Sequence, residues 1–143
     1  MNSFEKDGVA FLYPENWRAE AEEAEDGGGW AVAVSSPDTA FVLVTLRPDA
    51  RDPADLADQT LDALKAEYQE LDAENRVETV GGQAAVGHDI DFLTVDTPST
   101  CRTRCLETPR GPLLVMTQVS EFDRERNDPV LRAVVASLAV DEE

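Results

Sequence analysis

DPADLADQTLDALKAEYQEL, residues Asp52 to Leu71, has a helical apolar period and is punctuated at its start. Asp52 is suited to accept a bond from the free amides of a first turn, Pro53 to occupy the first helical position, and Asp55 to place negative charge at the positive end of the dipole. Ala57, Leu61, Leu64, Tyr68 and Leu71 recur at spacings of three and four and form one apolar stripe, whereas Asp58, Asp62, Lys65, Glu67, Gln69 and Glu70 are left to water. A helix with one apolar stripe needs a surface to lie on, and the apolar segments on either side of it read as strands.

Upstream, Asp7-Gly8 is a turn into a strand at Val9 to Tyr13, which Pro14 stops. Trp17 to Glu22 alternates weakly and ends in acids, the pattern of an exposed edge strand. Asp26 to Gly29 reads as a hairpin turn, and Trp30 to Ser35 and Ala40 to Arg47 as the next two strands. In the second of these both alternating sets are apolar, Phe41 and Leu43 against Val42, Val44 and Leu46, which predicts a sheet covered on both faces.

Downstream, strands are expected at Arg76 to Val80, Ala84 to Val95, Thr100 to Thr108 and Leu113 to Ser120. Val86, His88, Ile90 and Phe92 share one face, and Asp89 and Asp91 the other; the strand carrying Arg102 and Arg104 reads as half exposed. Asp128-Pro129 repeats the cap-then-proline start, with Val130, Leu131, Val134, Val135 and Leu138 as a second apolar helical face. The reading is one α+β domain over residues 1–143, a mainly antiparallel sheet with helices packed on its faces.

Charge narrows the function. Thirty acidic residues against twelve basic ones give a formal charge of −18, and the only lysines are Lys6 and Lys65. Such a surface repels phosphate backbones and anionic lipid, which argues against nucleic-acid and membrane partners and leaves a basic or apolar protein as the expected partner. Neither an apolar run of about 18 residues nor a secretory signal pattern is visible, so the cytoplasm is the expected location. Two cysteines, Cys101 and Cys105, agree with a reducing compartment. In a strand they stand about 13 Å apart, too far for a mutual disulfide.

No catalytic constellation stands out. His88 is the only histidine, and its apolar alternation favours a packed position. Asp89 and Asp91 lie about 7 Å apart on one strand face, a spacing open to metal or acid–base work but also that of an ordinary solvated face. Gly27-Gly28-Gly29 and Gly81-Gly82 each precede a strand pattern, unlike a phosphate cradle, and no cofactor is expected. The leading expectation is a non-catalytic protein-binding or chaperone-like adaptor. One alternative is a small hydrolase or metal-dependent enzyme centred on His88 with Asp89 or Asp91, and another is a small-ligand carrier with a cavity between helix and sheet. The candidate binding surface is Trp30 as an aromatic anchor, with Glu22, Glu23, Glu25 and Asp26 as its acidic rim. A core tryptophan is the competing reading, because Trp30 alternates with Val32 and Val34.

The order of these elements, with FLYPENW at Phe11 to Trp17, a hairpin carrying Trp30, Ala66-Glu67-Tyr68 in the long helix, Gly81-Gly82 before Ala85-Val86-Gly87, and PVLRAVVASL at Pro129 to Leu138, resembles the PsbP-like superfamily. That superfamily includes the extrinsic oxygen-evolving subunit of photosystem II, a nuclear-transport factor that binds the GTPase Ran, and bacterial chaperones for type VI secretion effectors. The resemblance implies an α/β/α sandwich around a mainly antiparallel sheet, used mostly to bind proteins.

Overall fold

The computed structural model describes residues 1–23, 29–94 and 97–141. Helix α1 spans Pro53–Glu67, and its start follows the sequence signal: the Asp52 carboxylate accepts the Asp55 N–H at 2.8 Å and Pro53 opens the first turn. Leu56 and Ala57 are its most buried residues, while Leu61, Leu64 and Tyr68 are half-buried against Ile90, Phe92 and Cys101. The helix ends earlier than the stripe suggests. Tyr68 is already extended, its ring 4.3 Å from that of Phe92, and Leu71 reaches the same cluster from the first position of a strand. A spacing of three residues fits either a further helical turn or a short reversal into a strand, so periodicity alone could not separate them.

Seven strands form the main sheet, all neighbours antiparallel, in the order β3 (Arg18–Glu23), β4 (Trp30–Ser35), β5 (Phe41–Leu46), β9 (Gly111–Ser120), β8 (Thr97–Thr108), β7 (Gln83–Thr94) and β6 (Leu71–Val80). Helix α1 lies on one face, against β7, β8 and β9. Helix α2 (Arg124–Ala136) lies on the other, beside a small sheet of β1 (Asn2–Lys6), β2 (Val9–Tyr13) and β10 (Ala139–Val140). The main core fills this second interface, where Val32, Val34, Val42, Val44, Val115 and Val119 meet Val9, Phe11, Leu131 and Val134. The expected α+β sandwich, covered on both faces, is the architecture observed. On β5, Val42, Val44 and Leu46 are buried and Phe41 and Leu43 half-buried.

Four local readings are corrected. Strand β1 went unread because Phe4 is its one large apolar residue; it pairs with β2 across Asp7-Gly8, both at positive φ (51° and 82°), as a two-residue hairpin turn requires. Strand β6 begins at Leu71 instead of Arg76, since nearly all of it is exposed and no apolar alternation marks it. Strand β8 is largely buried despite its arginines, which are neutralised by carboxylates. Helix α2 starts at Arg124, with Pro129 inside it. Asp123 precedes the first turn and binds Thr39, Ser120 and Asn127, which fixes the start there and frees Asp128 for Arg102 and Arg132.

Candidate functional site

Trp30 is a core residue. It is 4% exposed, its ring centroid lies 5.5 Å from that of Phe4, and its indole Nε1–H donates to Asp7 Oδ2 at 3.0 Å. An exposed anchor is therefore replaced by a buried one, because its alternation with Val32 and Val34 turns it toward the small sheet. Glu22 and Glu23 are exposed and share with Trp30, Arg47 and Pro48 the wall of an open groove of about 420 Å³; Glu25 and Asp26 lie outside the described residues.

His88 and Asp89 are neighbours in chain but project from opposite faces of the sheet. The histidine is buried on the α1 side, with no hydrogen-bond partner for Nδ1 among the described residues, whereas Asp89 and Asp91 face α2. The pairing that an enzyme centred on His88 with Asp89 or Asp91 would require is thus divided by the backbone. Among the described residues no group of three or more His, Cys, Asp or Glu is arranged to hold a metal. Cys101 and Cys105 are free and buried on the α1 side, where burial pushes both thiols up to about 12.

The larger constellation lies on the α2 side. The β7–β8 register sets Asp89 opposite Arg102 and Gly87 opposite Arg104, so that carboxylates and guanidiniums share one sheet face. Arg104 donates from Nη2 to Asp89 (2.8 Å), from Nε to Glu78 (2.5 Å), and from Nη1 to the carbonyls of Thr103 (2.8 Å) and His88 (3.2 Å). Arg76 reaches Asp89 from β6 at 2.9 Å. Arg102 and Arg132 grip the two oxygens of Asp128 at 2.8 and 2.9 Å. Partial burial pushes Asp89 and Asp128 up, yet the two guanidiniums on each outweigh it and hold both carboxyls below the usual carboxylate range. Each is thereby kept ionised and hydrogen-bonded, a poor arrangement for a general acid.

Gly87 makes this arrangement possible. A Cβ there would meet the Thr103 carbonyl oxygen at 1.8 Å, so only glycine allows β7 to approach β8 this closely. The same approach lets the His88 N–H reach Thr103 Oγ1 at 3.0 Å.

Between this face and α2 lies an open cleft of about 640 Å³. Val80, Val115, Leu131, Val135 and Val140 provide its apolar side; Arg102, Arg104, Arg132, Glu78 and Thr117 provide the polar one. Arg102 commits Nη1 and Arg132 commits Nε to Asp128, and their other N–H groups have no hydrogen-bond partner among the described residues. The cleft thus joins apolar surface to N–H donors in a neutralised setting. Sequence reasoning did not single out these arginines. The available signal was the Arg102-x-Arg104 alternation set against Asp89-x-Asp91, but recognising it required the strand register.

No protein-family model matches the chain, and no curated protein matches it by sequence. Solved structures do match. PA94 from Pseudomonas aeruginosa, a protein of unknown function, aligns over 100% of this chain and 99% of its own at 14% identity and a TM-score of 0.60. Cyanobacterial PsbP from Synechocystis sp. PCC 6803 aligns over 98% and 92% at 16% identity and 0.58. The fold is PsbP-like. LpqN of Mycobacterium tuberculosis, involved in cell envelope biogenesis, shares it over 97% and 90% of the two chains at 13% identity and 0.57. At such identities the PsbP-like likeness concerns architecture alone. No helix among the described residues is long and apolar enough to cross a membrane.

Proposed function

We propose that the chain is a non-catalytic binding adaptor that holds an apolar segment of a partner protein in the cleft beneath α2. The observation that carries this reading is the cleft's composition: half-buried Val135 and Val140 line it together with Arg102 and Arg132, whose uncommitted N–H groups can take backbone carbonyls of a bound segment. Asp128 and Asp89 offset the arginine charge, so an uncharged segment is accommodated without an unpaired buried cation. The free thiols of Cys101 and Cys105 support a reducing compartment such as the cytoplasm.

Ala136 is exposed at the cleft wall, so Ala136→Trp narrows the cleft without entering the core. Peptides selected from a random library on the wild-type protein should be enriched in apolar side chains and should lose at least tenfold in affinity on Ala136→Trp at unchanged melting temperature. Unchanged affinity would remove the cleft as the binding site.

A further inference from the structure

Strand β6 ends the seven-stranded sheet, and among the described residues no strand pairs with the outer edge of its ten residues. The hydrogen-bond directions along it follow from its neighbours. His88 sends its N–H toward β8, to Thr103 Oγ1, so the Asn75↔His88 pair of the β6–β7 ladder is of the non-hydrogen-bonded kind. Asn75, and with it Ala73, Val77 and Thr79, therefore directs N–H and C=O away from the sheet. The donation from Arg76 Nη1 to the Asn75 carbonyl agrees with that direction. The edge carries neither proline nor lysine; what guards it is the charged α2-side row, Asp72, Glu74, Arg76 and Glu78, which repels an acidic strand and leaves a basic one free to pair.

The two rows of β6 side chains differ in chemistry. On the α1 side stand Ala73, Asn75, Val77 and Thr79, uncharged, with Val77 73% exposed beside half-buried Val86. On the α2 side stand Asp72, Glu74, Arg76 and Glu78, backed by Asp89 and Asp91 of β7; Arg76 pairs with Glu74 and Asp89 and Arg104 with Glu78 and Asp89, yet five carboxylates share two guanidiniums, so the row stays net acidic.

We propose that this edge takes up an extended segment of a partner protein as an eighth strand, one in which lysine or arginine alternates with valine, isoleucine or threonine. The segment's main chain pairs with Ala73, Asn75, Val77 and Thr79; its cations lie over the net acidic row of Asp72, Glu74 and Glu78, and its β-branched residues cover Val77. A second copy of this chain fits worse. Antiparallel β6 to β6 pairing sets one acid-rich row against another, between molecules of formal charge −18 each. The proposal shares with the cleft the reading of a protein-binding module, but each surface has its own blocking variant.

The probe is an eight-residue peptide alternating lysine with valine and threonine, titrated by fluorescence anisotropy with amide exchange followed by NMR. The expected result is binding that weakens with salt, slows exchange of the Ala73, Asn75, Val77 and Thr79 amides, and falls at least tenfold when alternate peptide nitrogens are N-methylated. Val77→Pro should abolish it, while Ala136→Trp leaves it unchanged. N-methylation changes nothing in the protein and keeps the test decisive should Val77→Pro fold poorly. Equal binding of the N-methylated peptide, equal binding of a glutamate-for-lysine peptide, or protection elsewhere on the sheet would overturn the proposal. So would concentration-dependent dimerisation that protects the same four amides without peptide, which would assign the edge to a second copy. If library peptides bind the cleft and this probe does not bind β6, the cleft reading stands and the edge proposal fails.

Discussion

Gly87→Ala should be among the most damaging single-methyl additions this chain can receive. The new Cβ would stand 1.8 Å from the Thr103 carbonyl oxygen and 2.6 Å from its carbon, where real contacts essentially never fall below 3.0 Å. Relieving the first contact requires β7 and β8 to part locally by the difference, about 1.2 Å. That movement draws Thr103 away from the His88 N–H and disturbs the guanidinium of Arg104, which joins both carbonyls to Asp89. Overpacking of this kind costs about 1–3 kcal/mol, and each of two or three weakened hydrogen bonds adds about 1 kcal/mol. A total of about 3–6 kcal/mol corresponds to a melting temperature lower by roughly 10–20 °C for a chain of this size.

The control is Gly82→Ala in the neighbouring turn. Gly82 has φ of +83° and nothing within 4 Å of an added Cβ, so only the left-handed backbone is penalised, at about 1–2 kcal/mol. Thermal and urea unfolding followed by circular dichroism measure both. If Gly87→Ala were no worse than Gly82→Ala, the close approach of β7 to β8, and the placement of Arg104 that depends on it, would be wrong.

Trp30→Ala should cost about 3–5 kcal/mol, and in a Trp17→Phe background Trp30 emission should be blue-shifted and protected from quenchers; red-shifted, quenchable emission would contradict its burial. Asp89, Asp123 and Asp128 have folded-state pKa values below their unfolded ones, so their contribution is complete above the unfolded value of about 3.9 and disappears as pH falls through the folded values. Stability in 0.5 M salt, which screens the self-repulsion of so acidic a chain, should be level from pH 7 to 5 and fall below about pH 4, with a shallower acid limb in Asp128→Asn. Cys101 and Cys105, with thiols pushed up to about 12, should resist alkylation at pH 8 until the protein unfolds; rapid labelling of the native state would refute their burial. Leu56→Ala should cost about 2–5 kcal/mol and exceed Leu61→Ala, because Leu56 is fully buried and Leu61 only partly; the order of melting temperatures decides it.

Where local chemistry determines structure, the sequence could be read directly. Asp52-Pro53 begins α1 because both the cap and the missing amide act within one turn, and Asp7-Gly8 makes a turn because its backbone angles suit that pair. The same Asp-Pro signal at Asp128-Pro129 misled, since a contact from distant Thr39 to Asp123 fixes the start of α2 one turn earlier. Local preference is a weak prior there, and tertiary hydrogen bonding overrides it. Leu56, the most buried residue of α1, fell outside the apolar stripe read from Ala57, Leu61 and Leu64, because the packed face widens at the amino-terminal end toward Cys105 and Leu114.

The candidate surfaces were harder to read than the fold, and charge is the reason. In one dimension Glu78, Asp89, Arg104 and Asp128 are four members of an acidic chain's abundant ionisable set. The register of β6 on β7 and of β7 on β8 sorts them: it ties Arg104 between Glu78 and Asp89, buries the guanidinium, and leaves Asp72 and Glu74 at the open edge. A sequence count of −18 averages over these two environments, one balanced beneath α2 and one net acidic along β6, where Arg76 pairs with Glu74 and Asp72 has no cation partner among the described residues. On the two proposals the first takes an apolar segment and the second a basic strand, so two partner chemistries that look like alternatives in the composition would become neighbours on opposite sides of Glu78.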